Sequence, residues 1–280
     1  MIYLATIEKL KRDFINSLTS MNVEWQNYHP SGGPSISPRY SHSACCLGDS
    51  VYIFGGCTVA NTTFNDLWRF DLASRCWIRP IATGTFPSPK ASASFVNYKD
   101  NIILFGGWSH STPNFMYYLD WRISNNVHMF NTETNRWSLI EVKSFSPSLT
   151  GHSASVIDDK MIVFGGLQRQ ACHNIDQVDI FECSNDIWIL DLNTWVWTKK
   201  EVVLEKPNPR YFHSQMVLDS NHILIMGGCG GANMLFNDIW LLTIPKCQKQ
   251  AWEWKEIQMN YKDSSVQPHT CFQPACKVIN

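Results

Sequence analysis

The sequence is poor in charge and has no long apolar run. Only 17% of its 280 residues are Asp, Glu, Lys or Arg, and the formal net charge is -1. A near-neutral chain has no general attraction to nucleic acid or to an anionic membrane, so neither is expected as a partner. No stretch reaches the roughly 20 consecutive apolar residues of a membrane-spanning helix. The opening residues lead straight into Glu8, Lys9, Lys11, Arg12 and Asp13, which is not the order of a secretory signal. The ten cysteines include no Cys-x-x-Cys pair. They read as reduced thiols packed as small hydrophobes, in keeping with a cytoplasmic or nuclear protein. Their even number leaves a disulfide-bearing extracellular domain open. Gly-x-Ser-x-Gly, His-Glu-x-x-His and a phosphate-binding loop are also missing, so no enzymatic activity, cofactor or metal is expected.

What the sequence does contain is repetition. Hydrophobic residues make up 44% of the chain, and the tryptophans, 12 in all, fall at regular places. Four apolar runs end in paired glycines: Val51–Phe54 before Gly55 and Gly56, Ile102–Phe105 before Gly106 and Gly107, Met161–Phe164 before Gly165 and Gly166, Ile223–Met226 before Gly227 and Gly228. Such short runs stopped by glycine read as strands buried on both faces. Asn65-Asp66, Asn125-Asn126, Asn185-Asp186 and Asn237-Asp238 then open another strand. Trp77, Trp137 and Trp197 each follow the first Asn by 12 residues; Trp254 takes that place in the fourth unit, with Trp252 as competitor. His42-Ser43, His152-Ser153 and His213-Ser214 precede the glycine pairs by 13, 13 and 14 residues, with Ala93-Ser94 in the second unit.

Each unit therefore reads as four strands, and units of about 50–60 residues fit propeller blades. A single blade has two apolar faces and cannot bury them alone, whereas blades stacked around an axis bury both. Glycine pairs permit close backbone approach, and each tryptophan can fill the wedge between blades. The expected fold is an all-β, kelch-type β-propeller with four complete four-stranded blades near 39–80, 89–141, 150–200 and 209–257.

These marks resemble kelch repeats from about Arg39 to Trp254. Tyr40–Cys45, Tyr52–Cys57, Phe64–Arg69, Val156–Gly166 and Ile225–Gly231 are similar in particular to the F-box–kelch proteins. That resemblance implies the substrate receptor of a Skp1–cullin–F-box ubiquitin ligase, with the propeller presenting a protein substrate. The chain departs from the pattern, since no Leu-Pro pair of the kind that usually opens an F-box occurs in it. Residues 1–22 instead carry an amphipathic pattern (Leu4, Ile7, Leu10, Phe14, Ile15, Leu18) and are expected to form a short helix, the tail of an F-box. Skp1 and cullin are then partners only if the complete protein has an F-box. A stand-alone kelch scaffold is the alternative. A kelch-fold metalloenzyme, such as a copper radical oxidase, lacks a matched set of Tyr, His and Cys ligands here.

Residues 23–28, around Trp25, resemble the closing strand of a blade, and residues 273–280 line up with His42–Cys45, an opening strand. Both are expected to belong to a partial closing blade, which suggests a fragment or an incomplete gene product.

The kelch resemblance also implies that two classes of loop share one partner-binding face. One is the long connection after the second glycine pair, with Trp108, His110, Phe115, Tyr117, Tyr118, Trp121 and Arg122; its counterpart in the third unit carries Arg169. Aromatics with arginine are typical of interface hot spots, though the same loop could fold on its aromatics as a satellite core. The other class joins blades and brings Arg39, Lys90 and Arg210 to comparable places. They could form a basic rim for an acidic peptide, or be ordinary blade-bridging cations. His42, His152 and His213 lie on the first strands and are expected to bond backbone within their own blades rather than share a metal. The Asn-Asp pairs are expected to bond local backbone.

Overall fold

The computed structural model describes residues 33–59, 62–110, 121–169, 181–202, 205–231, 234–246 and 250–258. The proposed helix over 1–22 and the partial-blade strands at 23–28 and 273–280 lie outside them.

The described chain is all β and forms four successive blades. The first contains β1 (Ser43–Leu47), β2 (Ser50–Phe54), β3 (Leu67–Asp71) and β4 (Cys76–Ile78). After a short β5 (Thr83–Gly84), the second has β6 (Ser94–Tyr98), β7 (Asn101–Phe105), β8 (Trp108–His110), β9 (Trp121–Ile123), β10 (Val127–Asn131) and β11 (Arg136–Ile140). The third has β12 (Ser153–Ile157), β13 (Lys160–Phe164), β14 (Leu167–Arg169), β15 (Phe181–Cys183), β16 (Ile187–Asp191) and β17 (Val196–Lys200). The fourth has β18 (Ser214–Asp219), β19 (His222–Met226), β20 (Cys229–Gly231), β21 (Met234–Leu235), β22 (Ile239–Thr243) and β23 (Glu253–Glu256). Each blade is an antiparallel meander, for instance β12-β13-β16-β17. The first strands of adjacent blades touch, β1 with β6, β6 with β12 and β12 with β18, and so surround the axis.

One addition departs from the four-strand expectation. The linker leaving the first blade crosses to the second, where β5 pairs parallel to the outermost strand, β11, making that sheet five-stranded.

The core lies between blades rather than within them. Three buried apolar clusters occupy the three interfaces. At each, the phenylalanine before a glycine pair meets the closing-strand tryptophan of the next blade: Phe54 with Trp137 at 5.4 Å, Phe105 with Trp197 at 4.6 Å, Phe164 with Trp254 at 5.0 Å between ring centroids. On its other side Phe105 meets His152 at 5.0 Å, and Phe164 meets His213 at 5.2 Å. Trp77 belongs to the first blade and packs on that blade's own Phe70 at 4.9 Å, which leaves it only half-buried.

Backbone bonds repeat around the same seams. The second glycine of each pair donates across to the next blade, Gly56 to Lys90 O, Gly107 to Leu149 O and Gly166 to Arg210 O, at 2.8–3.0 Å. Nearer the axis, Ser92 N–H donates to Ser41 O, Gly151 to Ser92 O and Phe212 to Gly151 O, at 2.7–2.9 Å. The first glycines must also be glycine: Gly165 has φ +66°, and a Cβ there would stand 2.6 Å from Arg210 O and 2.9 Å from His213 Cε1.

His152 and His213 correct the expectation of bonds within their own blades, whereas His42 does bond backbone there, at Arg39. His152 Nε2 donates to Ser94 Oγ of the preceding blade at 3.0 Å, its buried Nδ1 having no partner. His213 Nε2 donates to Ser153 Oγ at 2.6 Å; that hydroxyl in turn donates to Gln215 Oε1 at 2.8 Å. Each of the two stands one residue before its blade's first strand, where its ring lies at the seam with the preceding blade.

Burial pushes both imidazoles down to about 3, with Arg210 and His152 adding to the effect at His213. In the unfolded chain a histidine titrates near about 6.5, so between these values the unfolded state binds more protons. Stability is therefore full above pH 6.5 and falls as pH drops toward 3, with a slope of about 1.4 kcal/mol per pH unit for each histidine. Urea unfolding between pH 7.5 and 5 is expected to show this fall, and His213→Gln to remove one histidine's share of it. An unchanged slope in His213→Gln contradicts the assignment. Phe164→Ala is expected to cost about 3–5 kcal/mol in the same assay at pH 7.5.

Candidate functional site

Both loop classes do meet at one end of the molecule. Isolated bridges tie each inter-blade linker to the residue just after a glycine pair: Tyr40 to Cys57, Ala91 to Trp108, Thr150 to Leu167 and Tyr211 to Cys229. From these points the connections of the last three blades rise as two-stranded ribbons, β8–β9, β14–β15 and β20–β21. Val59, Phe145, Met234 and Leu235 are exposed large apolar residues at this end, Phe145 to 74%. Arg122 and Arg169 are exposed on the ribbons.

The aromatic loop divides between its two readings. Trp108 is buried against Cys57 and Ala91, and its indole N–H donates to Ser92 Oγ at 3.3 Å. It anchors the ribbon as a satellite core and is not presented to a partner. His110 is half-buried and stands edge-on to Trp108 at 4.9 Å. Trp121 pairs through its backbone with His110. Phe115, Tyr117 and Tyr118 lie outside the described residues.

The basic rim is not formed. Arg210 has 0% exposure; its Nη1 and Nη2 donate to Asp238 Oδ1 and Oδ2 at 2.6 and 2.7 Å, and Nη1 also donates to Gly227 O at 2.9 Å. Its guanidinium stacks over Phe236 at 4.2 Å. Arg39 repeats the arrangement with Asp66 at 2.6 and 3.0 Å, Gly55 O at 3.0 Å and the Phe64 ring at 4.2 Å. Each carboxylate accepts one more bond at 2.7 Å, from the indole N–H of Trp68 or Trp240. Burial would raise the two carboxyls, but the bonds from arginine and tryptophan outweigh it and hold both below the usual carboxylate range. Lys90, at 2% exposure, is buried too, and loss of water brings it down to about 8. Arg39 and Arg210 cannot serve a peptide on the surface, because their charge is spent on an internal carboxylate and a carbonyl.

The same contacts correct the reading of the Asn-Asp pairs. Asp66 and Asp238 accept from side chains as far as 28 residues away in sequence, and Asp186 meets Lys199 at 2.9 Å. A signal for this was present: arginine precedes the opening His in two of the three units that keep both Asp and Trp, the third having Leu149, and the second unit changes all three.

The axis holds a second candidate. A cavity of about 750 Å³ runs along the first strands, lined by Ala44, Phe95, Ser155 and Val217 among others. Its far end, away from the ribbons, carries Tyr98, Lys99 and Asp159. Hydrogen bonds from Tyr98, Asn193 and Lys99 hold Asp159 down to about 2. Its remaining walls mix apolar side chains with Asn97, Ser155, Asp158 and Gln215. Among the described residues no three His, Cys, Asp or Glu side chains converge as metal ligands, and the six described cysteines are free thiols.

Arg210→Ala leaves Asp238 buried without its partner and is expected to cost about 3–5 kcal/mol in urea unfolding. Arg169→Ala, on the exposed ribbon, is expected to change stability by less than about 0.5 kcal/mol. Equal effects would contradict the division between seam and surface.

Comparison with known proteins agrees with this geometry. The family described as FBX42, beta-propeller domain, matches residues 39–262. Kelch domain-containing protein 1 of Mus musculus is 27% identical over 270 residues, covering 89% of this chain and 62% of that protein. Kelch domain-containing protein 3 of Homo sapiens is 25% identical over 278 residues, covering 94% and 67%. Tip elongation aberrant protein 1 of Schizosaccharomyces pombe is 28% identical over 221 residues, covering 77% and 18%. The chain thus spans less than two thirds of the length of two of these relatives. The solved structure of YjhT superposes with a TM-score of 0.59 over 81% of this chain and 67% of that one, at 16% identity, a likeness of fold. The chain belongs to the FBX42 β-propeller family and is a kelch-type β-propeller, a fold consistent with protein binding.

Proposed function

We propose that the face carrying the ribbons recognises a protein, and that the chain is the substrate-binding part of a Skp1–cullin–F-box ubiquitin ligase receptor acting in the cytoplasm or nucleus. The observation that carries this reading is the gathering of three ribbons, exposed apolar side chains and the two arginines, Arg122 and Arg169, at one end of a rigid scaffold. Loops held by such a scaffold are favoured sites of recognition. Arginine beside exposed apolar groups suits a protein surface better than a small substrate. The ligase link rests on the family, whose name points to an F-box protein. The reading is non-catalytic: Arg39 and Arg210 are engaged by carboxylates of their own blades, and His152 and His213 by hydroxyls across the seams. A stand-alone kelch scaffold is the second reading, favoured by relatives that carry only the kelch domain in their names.

Affinity capture with the complete gene product tests both. Skp1 and cullin are expected to be captured together with a substrate. Combined Arg122→Ala, Phe145→Ala and Arg169→Ala is expected to lower substrate capture at least tenfold and leave Skp1 unchanged. Loss of the substrate without any Skp1 in either sample would favour the scaffold. Substrate capture indifferent to the three changes would contradict the assigned face.

A further inference from the structure

The second blade breaks a pattern kept by the first and fourth. In those two, an arginine, an aspartate and a tryptophan form one unit at the ribbon end of the seam, Arg39–Asp66–Trp68 and Arg210–Asp238–Trp240. The carboxylate sits between a cation and an indole N–H, and it remains partly open to the face, at 15% and 19% side-chain exposure. In the second blade the same three places hold Lys90, Asn126 and His128. The acid has become a neutral amide, while both groups that served it remain able to donate.

Those groups are buried without an anion. Lys90 Nζ donates to Ser124 Oγ at 3.3 Å, and no acidic side chain lies within ion-pair distance of it among the described residues. His128 is 3% exposed, and its Nδ1 has no partner. The two are close enough that the Lys90 charge, after burial, is the other cause holding His128 down to about 4. His128 is therefore neutral near pH 7 and can offer an N–H where the other blades offer an indole N–H. Asn126 is exposed. A buried ammonium without a counter-charge is costly, and a cation that faces a binding surface is relieved by an anion from outside.

We propose that Lys90 and His128 form a carboxylate subsite on the ribbon face, filled by an aspartate or glutamate side chain of the bound protein. The incoming carboxylate takes the place that Asp66 and Asp238 occupy in their own blades, with Lys90 as the cation and His128 as the neutral donor. This rests on the reading of that face as a protein-binding surface, and it names the chemistry of one contact.

The test uses the chain itself, labelled with 13C at lysine, with the Lys90 signal assigned by Lys90→Arg. Three probes are added at constant ionic strength: N-acetylaspartate amide as a side-chain carboxylate, N-acetylglycine as a terminal carboxylate, and sodium chloride. Lys90 is expected to titrate at about 8 in chloride. N-acetylaspartate amide is expected to raise that value saturably, and Lys90→Met to weaken its binding at least tenfold. Asn126→Asp supplies a carboxylate within the chain, so it is expected to raise the Lys90 value without any probe and to abolish the response; it also keeps the test open if Lys90→Met does not fold. A Lys90 signal that no carboxylate moves, or full binding in Asn126→Asp, overturns the subsite. A response to N-acetylglycine alone overturns the side-chain assignment. No protein partner enters the titration, so the subsite can fail while substrate capture still depends on Arg122, Phe145 and Arg169, and the reverse.

Discussion

The rest of this structure depends on one contact, repeated at three seams: a phenylalanine held by the next blade. Phe105 and Phe164 each meet a histidine just before the neighbour's first strand and a tryptophan on its last. The glycine pair that follows is what lets the neighbour come so near, because a Cβ at Gly165 would strike both backbone and imidazole. The Phe–Trp–His wedge, the glycine pair and the backbone bonds across the seam are one device. Each blade buries its faces only against the next, so stability is a sum over seams.

The seam also governs what is available for recognition. Arg39 and Arg210 are drawn into it because a planar guanidinium can bond a carboxylate and a carbonyl at once while lying on a phenylalanine ring. Their charge is thereby lost to the surface. The third blade has Leu149 at that place, and its Asp186 turns to Lys199. The second blade keeps a cation and drops the acid, which makes it the one described seam with charge to offer. Above the seams, the ribbons are attached through single bridges to the linkers, so they are fixed at the base and project at the tip.

The blades were legible because strands two and three of each unit carry their apolar runs, glycines and Asn-Asp openings at constant spacing. Constant spacing reflects constant packing, and Trp137, Trp197 and Trp254 all fill the same wedge. The ribbons were not legible as strands: β8, β14 and β20 each start just after a glycine pair but carry no apolar run, and their partners follow connections of unequal length. β5 was hidden for a similar reason, since only backbone holds Thr83 and Gly84 to β11. The pairing of Arg39 with Asp66 and of Arg210 with Asp238 could be found by aligning units, because only the first and fourth combine arginine, aspartate and tryptophan at matching places; reading each unit alone made the cations look like a rim. Trp108 misled because composition cannot tell an exposed aromatic from one turned under its own ribbon.

The central claim is that seams built on the phenylalanine wedge hold still while the ribbon end does the binding. Hydrogen–deuterium exchange, with and without a captured protein partner, tests it most directly. The account predicts new protection at 121–123, 167–169 and 229–231, with little change in the seam strands at 102–105 and 161–164. Protection confined to the opposite end, at 98–101 and 157–160 beside the axial cavity, would contradict it.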